Sequence, residues 1–201
     1  MGMLSSSATF VRYSVEGDLP GNFWDFIAER IKEYSFRDID DSYDEQSVGW
    51  VSVFNMFDNE FAYASYTAGD YVVLSLRIDE RKVASQVLKK FCMKEEERIK
   101  KEKQIPKLSR AHRVEIKESI KIALTKKALP VPAVYDLSWN LSDNTLLFFS
   151  TSGKAQELLE GYFKDSFGLQ LVQQIPYMVA GHMLTGEQLV WLDDITPDIF
   201  I

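Results

Sequence analysis

From Ala84 to Lys103 the chain contains neither glycine nor proline, and it sets Glu96 before Lys100 and Glu97 before Lys101 at a spacing of four. That spacing stacks opposite charges on adjacent turns of one helix face, each pair contributing about 0.3 kcal/mol on an exposed surface. A solvated helix is predicted there. Ile105-Pro106 ends it, because proline lacks an amide proton and restricts the residue before it. Ser109 then serves as N-cap of a second helix reaching about Ala128, where Leu129-Pro130-Val131-Pro132 stops it. Any fold of this chain must therefore accommodate a long helical hairpin over residues 83–128.

The flanking sequence has a different grain. Residues 8–15 alternate as a strand. Phe23, Phe26, Ile27, Ile31 and Tyr34 recur at helical spacing, with Asp25, Glu29 and Lys32 on the other face. Strands are predicted at Val48–Val53, Phe61–Ser65 and Tyr71–Ile78, with Gly69-Asp70 turning between the last two. After the hairpin come AVYDLSWN and TLLFFSTS, separated by the polar turn Leu141–Asn144. A helix over 154–166 presents Ala155, Leu158, Leu159, Tyr162 and Phe163 on one face, stops at Gly168, and leads into the strand LQLVQQI. The prediction is an α+β protein with antiparallel sheets and covering helices, the helical hairpin being inserted between two β-rich halves. Its parts are an N-terminal half (1–82), the basic hairpin (83–128) and a C-terminal half (129–201) packing with the first. At 201 residues and 46% hydrophobic, the chain has material for a real core.

Charge is informative once counted by segment. Between Arg77 and Lys127 stand 17 Lys and Arg against 8 Asp and Glu, a local charge of +9 in a chain whose total is -7. The remaining residues carry -16. With a Debye length of about 8 Å at physiological salt, local sign governs what such a surface attracts. At helical spacing Arg110, Arg113, Lys117 and Lys121 fall within an arc of about 80°, beside an apolar stripe of Ile116, Ile120 and Ala123. Lys90, Lys94 and Lys101 align on the first helix, apart from Leu88, Phe91, Cys92 and Ile99. Packing through the apolar stripes would leave a basic surface suited to a polyanion; the bland alternative is an ordinary solvated helix face, diluted by Glu95, Glu96, Glu97 and Glu102.

Other function classes find less support. The opening MGMLSSSATF lacks the features of a secretory signal, and no apolar run approaches the roughly 20 residues that cross a bilayer. A lone Cys92 forms no internal disulfide, in keeping with a cytoplasmic setting. No Cys/His metal spacing is present, so no metal or other cofactor is assigned. Gly153-Lys154 lacks the remainder of a phosphate-binding loop. His112 is read as a surface or phosphate-contacting residue and His182 as a packed one, while the tryptophans Trp24, Trp50, Trp139 and Trp191 read as packing anchors.

Several stretches resemble one family: "GWV" at Gly49–Val51, "YVVLSLRIDERKV" at Tyr71–Val83, "LSRAHRVEIKE" at Leu108–Glu118, "KALP", and "YDLSWNLSDNTLLFFSTSGKAQELL" at Tyr135–Leu159. In this order they resemble the recombination-associated RdgC family of bacterial DNA-binding proteins. The resemblance implies a nonenzymatic protein that binds double-stranded DNA without sequence preference, closes as a ring-like or clamp-like homodimer, and restrains a recombinase. A nucleoid-associated, cytoplasmic location follows from that reading, with no membrane partner. Family members usually continue beyond a segment like Leu189–Leu192, and they make apolar contacts at the tips of their helical projections, where this chain offers Ile105, Pro106 and Leu108. The residues assigned to DNA contact are Lys90, Lys94, Lys101, Lys107, Arg110, Arg113, Lys117 and Lys121. Arg77, Arg81 and Lys82 support them at the base of the hairpin. No catalytic residue is assigned.

Two rival readings stand beside this one. A metal-dependent nuclease would use the carboxylates of Asp38, Asp40, Asp41, Asp44 and Glu45, although a charge-rich loop of this kind is commonly just solvated. A protein-interaction module would dock the basic hairpin on an acidic partner, including another copy, with Ile199-Phe200-Ile201 as an added hook.

Overall fold

The computed structural model describes residues 2–194. Its elements run β1 (Val11–Glu16), α1 (Phe23–Glu33), β2 (Gln46–Val51), a short 3-10 turn (Ala62–Ala64), β3 (Thr67–Ala68) and β4 (Tyr71–Arg81). They continue with α2 (Ser85–Lys103), α3 (Arg110–Thr125), β5 (Pro130–Asn140), β6 (Thr145–Phe148), α4 (Gly153–Phe167), β7 (Gln170–Gln173), α5 (Pro176–Met183) and α6 (Gly186–Asp194). The strand order is β2-β4-β5-β6-β1-β7, with β3 pairing β4. β1 runs antiparallel to both β6 and β7, and β5 to β6. The chain is α+β, with a helical hairpin between two strand-rich stretches.

By compactness it divides into two units, one comprising Met1–Tyr34, Val51–Leu76 and Tyr135–Ile201, the other Ser35–Trp50 and Arg77–Val134. In the first, the helical periodicity read from sequence has its counterpart in burial: Ile27 and Ile31 of α1, with Ala155, Leu159 and Phe163 of α4, are buried. Trp139 on β5 is fully buried and meets Phe23, Phe163 and Phe167 at ring-centroid distances of 5.5, 5.4 and 6.0 Å. Arg30 clamps the end of α4, donating to the carbonyls of Asp165 and Ser166, while the Tyr162 hydroxyl donates to the Tyr34 carbonyl at 2.8 Å. Gly168 ends α4 at φ 70°, a left-handed conformation that favours glycine.

One predicted strand is a turn instead. Over Phe61–Ser65 the residues Phe61, Tyr63 and Ala64 adopt φ of 53, 57 and 54°. The Asp58 carboxylate accepts the amides of Glu60 and Phe61 at 3.2 and 3.0 Å, capturing donors that a strand ladder would require. β4 in turn extends past Ile78 to Arg81, and α5 and α6 occupy a stretch in which the sequence suggested no helix.

In the second unit β2 is laid against Phe36, whose amide donates to the Trp50 carbonyl at 3.0 Å. A Cβ at Gly49 would overlap the Phe36 backbone, so only glycine admits this approach. The hairpin begins immediately after β4. Ser109 caps α3 as expected, accepting from the His112 amide at 3.3 Å. Gln104 turns the chain out of α2 with φ 50°. Ile116 is buried, but no residue of the 19-residue helix α2 is. Leu108 is 5% exposed, so it anchors the hairpin and leaves Ile105 and Pro106 as the remaining apolar groups at the tip. The His182 side chain and Ile199-Phe200-Ile201 lie outside the described parts of the structure.

Candidate nucleic-acid interface

At the base of the hairpin the structure corrects the sequence reading of two arginines. Arg77 and Arg81 share one face of β4, a strand buried along nearly its whole length, and are 6% and 8% exposed. Arg77 forms a bidentate pair with Asp79 at 2.9 and 2.7 Å, and its guanidinium lies 4.1 Å from the Phe36 ring centroid. The hydrogen bond to Asp79 raises its pKa, against the opposing effect of burial and with added help from the charges of Asp79, Asp38 and Asp40. Arg81 is surrounded by carbonyl oxygens: it donates to Asp44 at 3.0 Å, Ile39 at 2.7 Å and Ser42 at 2.9 Å, and also to Ala128. These two charges are spent inside the fold. Lys82 is exposed, with its ammonium 3.1 Å from Glu80.

The same contacts explain the acidic loop. Ile39, Asp40, Ser42 and Asp44 turn their carbonyls toward Arg81, while Asp38 accepts the Asp40 amide and Asp44 the Ser42 hydroxyl. Among the described residues, no group of three or more His, Cys, Asp and Glu side chains is placed to share a metal ion. The loop has a structural task, wrapping a buried cation.

The remaining predicted contacts, Lys90, Lys94, Lys101, Lys107, Arg110, Arg113, Lys117 and Lys121, are all exposed on the hairpin. They do not form one row. Arg110, Arg113 and Lys117 line a groove of about 570 Å³ between α2 and α3. Its floor is Leu88, Cys92, Met93 and Val114, and Glu96 is its acidic member. Lys94 and Lys101 line a second groove on the opposite side of α2, with Arg98, Glu95 and Glu97. Lys90 stands 6.0 Å from the Phe91 ring centroid.

Ion pairing separates the two sides further. Arg98 is held by Glu95 at 2.5 Å and Glu102 at 2.6 Å; hydrogen bonding to Glu95 raises the arginine pKa, and the reciprocal bond lowers that of Glu95. Lys100 meets Glu97 at 3.7 Å, and Arg113 meets Glu96 at 3.8 Å across the hairpin. Among the described residues Lys94, Lys101, Lys107, Arg110, Lys117 and Lys121 enter no ion pair. The α3 side thus carries the stronger positive field. Sequence reasoning passed over Lys89, which lines the first groove. The Lys89-Lys90 pair offers two phases 100° apart, and only the position of α3 shows which one faces the groove.

No helix among the described residues is long and apolar enough to cross a membrane. A comparison with curated proteins gave no match. A family model described as "RdgC: Putative exonuclease, RdgC" matches residues 12–192, nearly the whole chain.

Proposed function

The chain belongs to the RdgC family, and from that premise we propose that it is a nonenzymatic binder of duplex DNA without sequence preference, acting as a clamp-like homodimer that modulates recombination. The observation that carries this reading is the exposed row Arg110, Lys117 and Lys121 on α3, unengaged by any carboxylate among the described residues, in a protein that is acidic elsewhere. Duplex DNA presents a phosphate charge about every 1.7 Å of axis, and cations that neutralise those charges release condensed counterions. A rigid helix with bases spaced by one or two turns meets that need and requires no contact with base edges. The acidic remainder of the chain disfavours DNA on other surfaces. Association with the nucleoid and antagonism toward a recombinase belong to the same proposal.

An electrophoretic titration with unrelated duplexes and a matching single strand, at about 50 and 200 mM salt, tests it. We expect equal affinity for the duplexes, a steep fall with salt, and at least about tenfold weakening on all of them for Lys117→Glu with Lys121→Glu. Unchanged binding by that double variant removes the assignment of α3. The family description names an exonuclease, which supports a second reading that uses the acidic loop. Linear duplex incubated with Mg²⁺ decides it: intact DNA is expected, whereas cleavage abolished by Asp41→Ala makes the protein an enzyme.

A further inference from the structure

We propose that the groove between α2 and α3 receives helix α6 of a second copy of this chain. Phosphates account for the basic rim of the groove but not for its floor. Leu88, Cys92, Met93 and Val114 form an apolar bed, and Met93 and Val114 are 59% and 50% exposed. Helix α2 buries none of its residues, so its apolar side lacks the cover that normally stabilises a helix of this length. An occupant has to be apolar at its centre and acidic around it.

Helix α6 has that composition. Its sequence, GEQLVWLDD, contains Glu187, Asp193 and Asp194 and no Lys or Arg. Val190 and Trp191 are 62% and 69% exposed. At 100° per residue Glu187, Val190 and Trp191 share one face, an acid one turn before two large apolar side chains. In the groove, Arg110, Arg113, Val114 and Lys117 follow the same periodicity on α3, with an apolar residue set among bases. Seating Trp191 on Met93 and Val114 would remove large apolar surfaces from water, and Glu187 would meet the Lys117 or Arg113 rim. Two copies exchanging α6 reciprocally make two equivalent contacts and close a pair.

This inference rests on the homodimeric part of the proposed function; Glu187 and duplex phosphates are alternative partners of Lys117, so its test is made without nucleic acid. Sedimentation velocity across low to tens of micromolar concentrations is measured for the wild type, Glu187→Lys, Lys117→Glu, and an equimolar mixture of these two variants. The wild type is expected to dimerise, and each variant alone to do so at least about tenfold more weakly. The mixture should regain wild-type association, because each heterologous contact again pairs Lys with Glu. Such rescue cannot come from docking within one chain or from a general loss of structure. A wild-type dimer that neither variant weakens, or variants whose mixture stays dissociated, overturns the α6 docking while leaving the dimer standing. A wild type that remains monomeric overturns both the docking and the dimer, and the separate DNA titration still decides duplex binding. Trp191→Ser, which leaves the charges unchanged, is expected to dissociate the pair as well, and persistence of its dimer overturns the proposal.

Discussion

Arg81 shows how one side chain reassigns its neighbours. A guanidinium carries five donors and remains charged, so burying it requires a matching set of acceptors. The acidic loop and Ala128, three residues past the end of α3, supply them as carbonyls, those of the loop being Ile39, Asp40, Ser42 and Asp44. Arg81→Met is expected to lower stability by about 3 kcal/mol in urea unfolding, because it strands several carbonyls together. Arg81→Lys should recover only part, since an ammonium has three donors. Tyr13 is the opposite case. It is fully buried, and its hydroxyl has no hydrogen-bond partner of normal geometry among the described residues. Burial first, then the Glu160 carboxylate, pushes its pKa well above the usual phenol value. An unfolded tyrosine ionises near pH 10, so as pH rises past that value the unfolded state releases a proton that the native state keeps, and stability falls by up to about 1.4 kcal/mol per pH unit. Tyr13→Phe should be neutral or stabilising at pH 7 and should flatten the alkaline limb of the stability profile; an unchanged limb would contradict the buried, neutral phenol.

Among the elements, the hairpin was the most legible from sequence and β3 the least. Its helices follow from continuous helical spacing, a serine cap and a proline break, all local features. Residues 61–65 also have strand-like composition, yet the Asp58 carboxylate takes the amides of Glu60 and Phe61 at their start, and an Asx-type turn leaves no trace in hydrophobic periodicity. Periodicity likewise predicted the arc on α3 but not the partition of the α2 lysines, because the azimuth of one helix against another depends on packing. The cross-hairpin pair Glu96–Arg113, at 3.8 Å and partly exposed, should contribute little to stability. Glu96→Gln is therefore expected to change unfolding free energy by less than about 0.5 kcal/mol while tightening duplex binding several-fold at low salt, by releasing Arg113. Weaker binding in the titration would show that Glu96 positions Arg113 for its ligand.

For the whole molecule the measurable quantity is the salt slope. Among the described residues only Arg110, Lys117 and Lys121 are the exposed and unpaired Lys and Arg of α3, so a duplex held along that helix should give a log-log slope near -3 per protomer, at about 0.9 per phosphate neutralised. A slope near -5 would mean that Lys94, Lys101 and Lys107 engage too, and that DNA reaches both sides of the hairpin. By itself the sequence determined the α+β class, the hairpin, the helix faces and the concentration of positive charge, since each is a local or additive property of consecutive residues. Tertiary structure alone decided which cations remain available. Arg77 and Arg81 are drawn inside because β4 is buried along nearly its whole length, with Asp79 pairing the first and long-range carbonyls holding the second, whereas Lys89 enters the groove because α3 packs beside it. Charge is counted along the chain, but its availability depends on contacts between residues distant in sequence.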